Sequence, residues 1–474
     1  LRLSTHGAAL RDEHDRHRIL HGINLVAKGR PGATDPAAFH GTWQQEDLEH
    51  LAALGLDSVR LGLNWAATEP SPGEYSTAHL DWICAQLDAC ERAGLTVVLD
   101  AHQDLYSQQF GNGAPAWATL TSHPFEATEL WSDAYLTSPA VHEAYDAFWA
   151  DAPGPEGVGI RSRFAAMWGA VLDRCAGHPA LIGCDVLNEP TPGNAAPQIL
   201  GALVLAIADV LGEDPATIAA DLEGPERKFA RLQDIEDPAV HRAIGDRVAP
   251  LLAPFETGPV HALYTQVAKQ IRARDEQLLI LREHSYFSNI GVPAAIPLLE
   301  DATWAYSPHG YDLVVDTPAM PLASDARIST IFDRAAETAE RLAVPVIVGE
   351  WGAFEQHTGI ARHARHQLDL FDRRSWSWFY WCWSEGFAGS EAAQMLDRPR
   401  AIAVAGTDLI AAGTPDGSWE ARWQGTDGTA PSEFRVRPEL TVTLQVDGDQ
   451  VSVDRRGDRV LIDPREGAHH LRTS

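Results

Sequence analysis

The chain is poor in cysteine, lysine and methionine. Five cysteines, Cys84, Cys90, Cys175, Cys184 and Cys382, stand among 474 residues. An odd count cannot pair completely, and no CxxC spacing marks a zinc site. Free thiols and no disulfide framework are therefore expected. Cys184 and Cys382 fall in strand-like runs, where cysteine is ordinarily a small core residue. Lysine occurs only at Lys28, Lys228 and Lys269, and 37 basic residues face 66 acidic ones, for a formal net charge of -29. Such a surface repels nucleic acid and anionic lipid, so no nucleic-acid partner is expected. No run approaches the roughly 20 apolar residues that span a bilayer, which argues against stable membrane insertion. No secretory signal segment is visible, and the chain begins at Leu1, so an upstream segment is expected to have been removed.

What is present is an alternation of strand-like and helix-like runs. "RILHGINLVAKG", "DSVRLGLNW", "LTVVLDAHQD", "LIGCDVLNEP", "QLLILREH", "ATWAYSPHGY", "VPVIVGEWG" and "WSWFYWCWSEG" read as eight strands. Between most of them lie amphipathic helix patterns such as "QEDLEHLAALG" and "TAHLDWICAQLDACERAG", closed by glycine. The strands are continuous apolar runs rather than alternating ones, as expected for a parallel sheet covered on both faces. Eight such units predict an α/β fold, a (β/α)8 TIM barrel. Two long interruptions stand out: an irregular stretch from Leu105 to about Gly159, and a helical insertion from about Thr191 to Phe255 that contains the apolar "QILGALVLAIADVLG".

After about Asp397 the pattern changes. "LTVTLQVDGDQVSVDRRGDRVLI" has period-two alternation, and "DGDQ" and "RRGD" read as hairpin turns. The expected division is a barrel domain over residues 1–397 and a small antiparallel β-sandwich domain over 398–474.

In such barrels chemistry sits at the C-terminal ends of the strands. Reading those positions collects Lys28; Arg60 and Asn64; His102, Gln103 and Asp104; Asn188 and Glu189; His309 and Tyr311; Glu350; and Trp381 and Trp383. Two of the buried strands end in a glutamate, Glu189 and Glu350. Facing carboxylates among aromatics and hydrogen-bond donors suit glycoside hydrolysis, in which one protonates the leaving oxygen and the other attacks the anomeric carbon. Arg60 beneath a carboxylate would keep it ionised, as a nucleophile requires. Blander readings stand beside these. Arg60 forms a structural ion pair, His102 and His309 are satisfied core histidines, and Asp104 caps a loop. Glu283, at the end of "LREH", is the rival carboxylate and is read as a supporting or rim residue. Of the two tryptophans, Trp383 is nearer the strand end and is the expected stacking residue.

"LGLNW", "DAHQD", "LNEP", "SPHGY", "VGEWG" and "YWCW", in that order and spacing, resemble glycoside hydrolase family 5 of the Asn-Glu retaining clan. Within it, "GINLVAKG", "VRLGLNWAATEPSPGEYS", "VVLDAHQDLYS" and "GNGAPAW" are similar to endoglycoceramidases, which release an intact glycan from ceramide and carry a C-terminal β-sandwich. The resemblance implies Glu189 as acid/base and Glu350 as nucleophile. It implies Asn188 on the sugar 2-hydroxyl, Tyr311 on the nucleophile, and Lys28, His102, Asp104 and a strand-eight tryptophan in the glycone subsite, with His309 also among the substrate-binding candidates. It implies a glycosphingolipid substrate, transient contact with a lipid surface, secretion and no cofactor. Related specificities stay open: a β-glucosidase on sterol or other aglycones, or an endo-β-glucanase. Cleavage by two carboxylates uses no Lewis acid, and no His/Cys ligand cluster is visible in the sequence. Exhaustive chelation should therefore leave the hydrolysis rate unchanged; a loss restored by one divalent ion would overturn this reading.

Overall fold

The computed structural model describes residues 1–222, 225–354, 357–414 and 417–474. Eight parallel strands form a barrel: β1 (His21–Leu25), β2 (Ser58–Leu63), β3 (Thr96–Ala101), β4 (Leu181–Asp185), β5 (Leu279–Arg282), β6 (Trp304–Tyr306, continued by His309–Gly310), β7 (Ile347–Gly352) and β8 (Ser377–Trp381). Each pairs with its neighbour in chain order, and β8 pairs with β1. The first part of β6 pairs with β5 and the second with β7, which closes the ring. Helices Gln45–Ala53, Thr77–Arg92, Ile160–Cys175, His261–Arg272, Asp325–Leu342 and Ala361–Arg374 surround it. Between β5 and β6 the chain makes only the short 3-10 turn Tyr286–Ile290.

The strands are buried on both faces, as their apolar runs require. Leu20, Val98, Ile182, Leu279, Leu281, Ala305, Ile347 and Phe379 fill the lower interior, joined by Leu3 and Leu10. Above this apolar plug the interior becomes charged. Side chains two apart share a face of a strand, so β3 presents Val98, then Asp100, then His102 to the inside. The stretch between Leu105 and Gly159 is less irregular than its sequence suggests. It contains the helix Pro139–Trp149, which buries Val141, Ala144, Tyr145 and Phe148 at helical spacing. The second insertion forms helices including Ala196–Leu211 and Pro238–Phe255.

The C-terminal region folds as two antiparallel sheets. One contains Gly406–Gly413, Trp419–Gly425, Gly467–Thr473, Val442–Val446 and Asp449–Val451. The other contains Arg400–Val404, Ser432–Arg435, Arg459–Ile462 and Asp454–Arg456. Their facing sides share a core of Val404, Leu409, Trp419, Trp423, Phe434 and Leu471. Asp447 and Gly448 at φ 53° and 89° turn one hairpin, and Gly457 at φ 64° the other, where "DGDQ" and "RRGD" stand. The N-terminal strands Ser4–His6, Ala9–Arg11 and His17–Arg18, which the sequence division assigns to the barrel domain, pair into the second of these sheets through Arg400–Val404. They are antiparallel and too short to carry a recognisable pattern of their own.

Barrel and sandwich meet at the C-terminus of helix Gln45–Ala53. Arg435 donates to the Ala53 carbonyl at 3.0 Å, and Arg400 to Leu54 and Gly55 at 3.3 and 3.5 Å, so cations from the sandwich satisfy carbonyls that the helix leaves open. Beside them Arg18 pairs with Asp57 at 2.7 Å, and Asp57 also accepts from the His21 N–H at 2.8 Å. Removing one partner of a buried pair strands the other charge. Asp57→Ala should therefore lower stability by about 3–5 kcal/mol in chemical denaturation.

Candidate active site

The upper interior of the barrel is organised around Arg60, which β2 carries into the barrel and which has no solvent exposure. Its Nε donates to Asp185 at 2.9 Å. Nη1 donates to Asn24 at 3.0 Å and to Glu350 Oε1 at 2.8 Å. Nη2 donates to Asn188 and Glu283, both at 3.0 Å, and lies 2.9 Å from Asp100. Five of the eight strands or their ends thus converge on one guanidinium. Glu350 reaches it because β7 is irregular between Val348 and Trp351, which shifts the strand register just where the glutamate stands. Gly349 is required there. A Cβ would lie 2.6 Å from His309 Nε2 and 2.8 Å from Ser307 Oγ.

Glu350 Oε2 accepts the Tyr311 hydroxyl at 2.7 Å. Glu189 Oε1 accepts Asn289 Nδ2 at 2.7 Å and meets His309 Nδ1 at 3.1 Å. The backbone at Glu189 is left-handed, at φ 44°, a conformation uncommon outside glycine. It is held from both sides: the Glu189 N–H donates to Glu283 at 2.7 Å, and Gln103 Nε2 donates to the carbonyls of Asn188 and Glu189 at 2.8 and 3.3 Å. His309 also faces Glu283 at 3.3 Å and Glu350 at 3.7 Å. Burial opposes charge on this imidazole, but Glu283, Glu350 and Glu189 together raise it well above its ordinary value. The imidazolium is the second cation of the cluster.

Five carboxylates share these two cations, so protons are retained. Burial pushes Asp100 up to about 6, raises Asp185, and raises Glu283 well above the ordinary carboxylate range. Burial also lifts Glu350 to about 7, whereas Glu189, despite its burial, is drawn down by His309. The hydrogen bonds favour the opposite order. Both Glu350 oxygens receive strong donors, one of them charged, which stabilises the anion. Glu189 has one oxygen bonded, and Oε2 accepts nothing from the described residues. We assign the ionised form to Glu350 on this ground. The groups Glu189–His309–Glu350 and Asp185–Glu283–His309 each bring ligand-type atoms within 4.8 Å of one another. In both, Arg60 already occupies a carboxylate oxygen, which a cation would have to displace.

On one flank Lys28 pairs with Asp104 at 2.8 Å and lies 4.9 Å from the centre of the Trp381 ring, which stacks on His102 at 5.2 Å. Burial works against the Lys28 ammonium, but Asp104 outweighs it and raises its affinity for the proton. His102 Nδ1 contacts Asp100 at 2.8 Å, and burial keeps the ring neutral. Every candidate read from the strand ends except Asn64 and Trp383 therefore lies in this connected group. Asn64 caps the short helix Trp65–Thr68. The Trp383 ring meets Trp43 edge-on at 5.7 Å, and it is Trp381 that borders the cluster, because β8 ends at Trp381 and its alternation does not extend further. Glu283 is not at the rim but buried at the centre. The strand ends alone do not reveal Asn24, Asp100 and Asp185, although an acid inside an apolar strand, two positions below a rim residue in "VLDAH", is a usable signal. Asn289 lies between β5 and β6 and carries none.

That loop is tied down by Glu256, which accepts from the Ser285 N–H at 2.8 Å and from the Ala295 N–H. Burial raises Glu256 to about 7 from an ordinary 4.5. The folded state therefore holds this proton more tightly than the unfolded one. The resulting stability is complete below about pH 4.5 and lost as pH rises through about 7. Glu256→Gln cannot titrate. Its stability relative to the parent should shift in its favour by about 3 kcal/mol between pH 4.5 and pH 8, read by denaturation at both pH values.

Comparison with known proteins places these features in a family. The family model described as Cellulase (glycosyl hydrolase family 5) matches residues 32–386. Endoglycoceramidase I of Rhodococcus hoagii (strain 103S) is 33% identical over 198 residues, which cover 40% of this chain and 37% of that protein. The endo-glycoceramidase II of Rhodococcus sp. in its ganglioside GM3 complex superposes with a TM-score of 0.72 at 23% identity, covering 99% of each chain. The sterylglucosidase 1 of Cryptococcus neoformans does so at 0.68 and 15%, covering 100% of this chain and 96% of that one. The chain belongs to glycosyl hydrolase family 5.

Proposed function

We propose that the protein is a retaining β-glycosidase that cleaves the bond between an oligosaccharide and ceramide in glycosphingolipids, with Glu350 as nucleophile and Glu189 as acid/base. The observation that carries the proposal is a spacing: an oxygen of Glu189 and an oxygen of Glu350 lie within 4.8 Å. Retaining enzymes hold their carboxyl groups about 5–5.5 Å apart, and inverting ones about 6.5–9.5 Å, to leave room for a water. Glu350 attacks the anomeric carbon while Glu189 gives its proton to the leaving oxygen. A glycosyl ester forms on Glu350. Glu189, now a base, takes a proton from water, which attacks the same carbon and releases the sugar with its configuration retained. Lys28, His102, Asp104, Asn188 and Trp381 provide donors, acceptors and a flat apolar face for the glycone.

Two features support a lipid aglycone. The endoglycoceramidase similarity is one. The other is helix Ala196–Leu211, which follows Glu189 in sequence and leaves Leu205 59% exposed. Acyl chains leaving water gain about 0.8 kcal/mol per buried CH2. The fold likeness to a sterylglucosidase supports a second reading, a β-glucosidase on a sterol aglycone. No helix among the described residues is long and apolar enough to cross a membrane.

Mass spectrometry of products from a glycolipid panel distinguishes the readings. Intact oligosaccharide plus ceramide is expected; release of a single glucose from a steryl glucoside alone would favour the second. The catalytic roles are tested with aryl β-lactosides. Glu189→Ala should still form the glycosyl-enzyme from a dinitrophenyl lactoside, turn over slowly, and be accelerated by azide to the β-azide. Glu350→Ala should instead give the inverted α-azide. Loss on poor leaving groups should reach at least about 100-fold for Glu189→Ala. Exchanged azide products would reverse the assignment.

A further inference from the structure

Glu189 is the end of a buried hydrogen-bonded chain that runs away from the cleft. The Tyr306 hydroxyl lies 2.6 Å from His284 Nδ1, His284 Nε2 lies 2.8 Å from Asn289 Oδ1, and Asn289 Nδ2 donates to Glu189 Oε1 at 2.7 Å. All four side chains belong to buried residues, so each bond must be made within the protein. The direction of every bond follows from its neighbour. Glu189 Oε1 also meets the protonated His309, so it carries no proton and only accepts, and Asn289 turns its NH2 toward it. Its Oδ1 then needs a donor, which makes His284 carry its proton on Nε2. Nδ1 is left as a bare lone pair, and the Tyr306 O–H supplies the donor. Burial drives His284 down to about 3, so the ring keeps a single proton and cannot donate from both nitrogens.

We propose that Asn289 is a positioning residue that places the transferable proton of Glu189 on Oε2, and that Tyr306, acting through His284, holds Asn289 in the orientation that does so. The proposal rests on Glu189 being the acid/base. Oε1 receives donors from both Asn289 and His309, whereas Oε2 accepts nothing from the described residues. A proton on Oε1 would face two N–H groups, so the neutral acid carries it on Oε2, the oxygen left for the leaving group. After transfer the same two donors stabilise the carboxylate that must act as base. Tyr306 stands on β6 beneath the site and belongs to the hydrophobic core, so it acts only through the chain.

Glu189 is also faced by His309, His102 and Arg60, which favour its anion. Glu350 and Asp100 oppose it, and the Tyr286 and Tyr311 hydroxyls stand nearby. None of these is altered by the variants below. With the aryl lactosides, kcat/KM reports the glycosylation step, where only a poor leaving group needs the proton. Asn289→Ala should lower kcat/KM for the phenyl lactoside by about 10–100-fold and leave the dinitrophenyl lactoside within about 3-fold. Tyr306→Phe should shift the same ratio in the same direction. Asn289→Asp sets a second carboxylate against Glu189 and should move the alkaline limb of kcat/KM up by about 1 pH unit. Equal losses on both substrates with an unmoved limb would make Asn289 a structural residue only and overturn the proposal. The unaltered enzyme offers a test that no folding defect can obscure. Nitrogen NMR of His284 should show Nε2 protonated and Nδ1 bare down to about pH 5; the opposite tautomer would overturn the proposal. If Glu189→Ala itself shows no dependence on the leaving group, the acid/base assignment fails. If it does and the Asn289 variants do not, only the present inference fails.

Discussion

The barrel mouth depends on one buried charge. Arg60 has no contact with solvent, and an isolated guanidinium in such a place would be prohibitively unstable. It is tolerated because Asp100, Asp185, Glu283 and Glu350 surround it at hydrogen-bonding distance and Asn24 and Asn188 take further bonds. The dependence is mutual. Without Arg60 those carboxylates would repel one another in a medium of low polarity, so the guanidinium fixes where strands β3, β4, β5 and β7 can place their acids. Such an arrangement is a doubtful source of net stability. It supplies geometry instead, and the geometry belongs to Glu350.

Glu189 is held by a different device. Its left-handed backbone would relax if left alone, since non-glycine residues in this region carry strain of order 1–3 kcal/mol at such sites. Glu283 receives its N–H and Gln103 holds the adjoining carbonyls. Gln103 is in turn fixed by the Tyr106 N–H and the Tyr145 hydroxyl, each at 2.7 Å, from the long segment between β3 and β4. The helix Pro139–Trp149 that carries Tyr145 therefore bears on the orientation of Glu189 without touching it. The networks that position the two carboxylates are joined at Glu283, Asn188 and His309.

Parts of this arrangement were legible in the chain. The eight apolar runs and the glycines closing the helices indicate a barrel because a doubly covered parallel sheet has no solvent face to alternate with. Asn188-Glu189-Pro190 and Gly349-Glu350-Trp351 were conspicuous because a carboxylate seldom ends an apolar strand without a function. The hairpin turns of the tail were equally plain, since a chain that turns through positive φ favours aspartate and glycine, as at Asp447, Gly448 and Gly457. The N-terminal strands were not, because strands of two or three residues have no period, and their partner Arg400–Val404 lies almost four hundred residues away.

By itself, then, the sequence determined the alternation of elements, the ring of strands and the two glutamates, since each rests on local pattern or on a residue type that is anomalous where it stands. Only the tertiary structure decided that Glu283 lies under the site rather than on its rim, and that Trp381 rather than Trp383 borders it. Only there does Asn289 close on Glu189 across one hundred residues of chain. The physical reason is common to all three. A side chain's direction at a strand end, and the partner of a loop residue, are set by whichever buried donor or acceptor would otherwise be left unsatisfied, and that requirement is written in three dimensions.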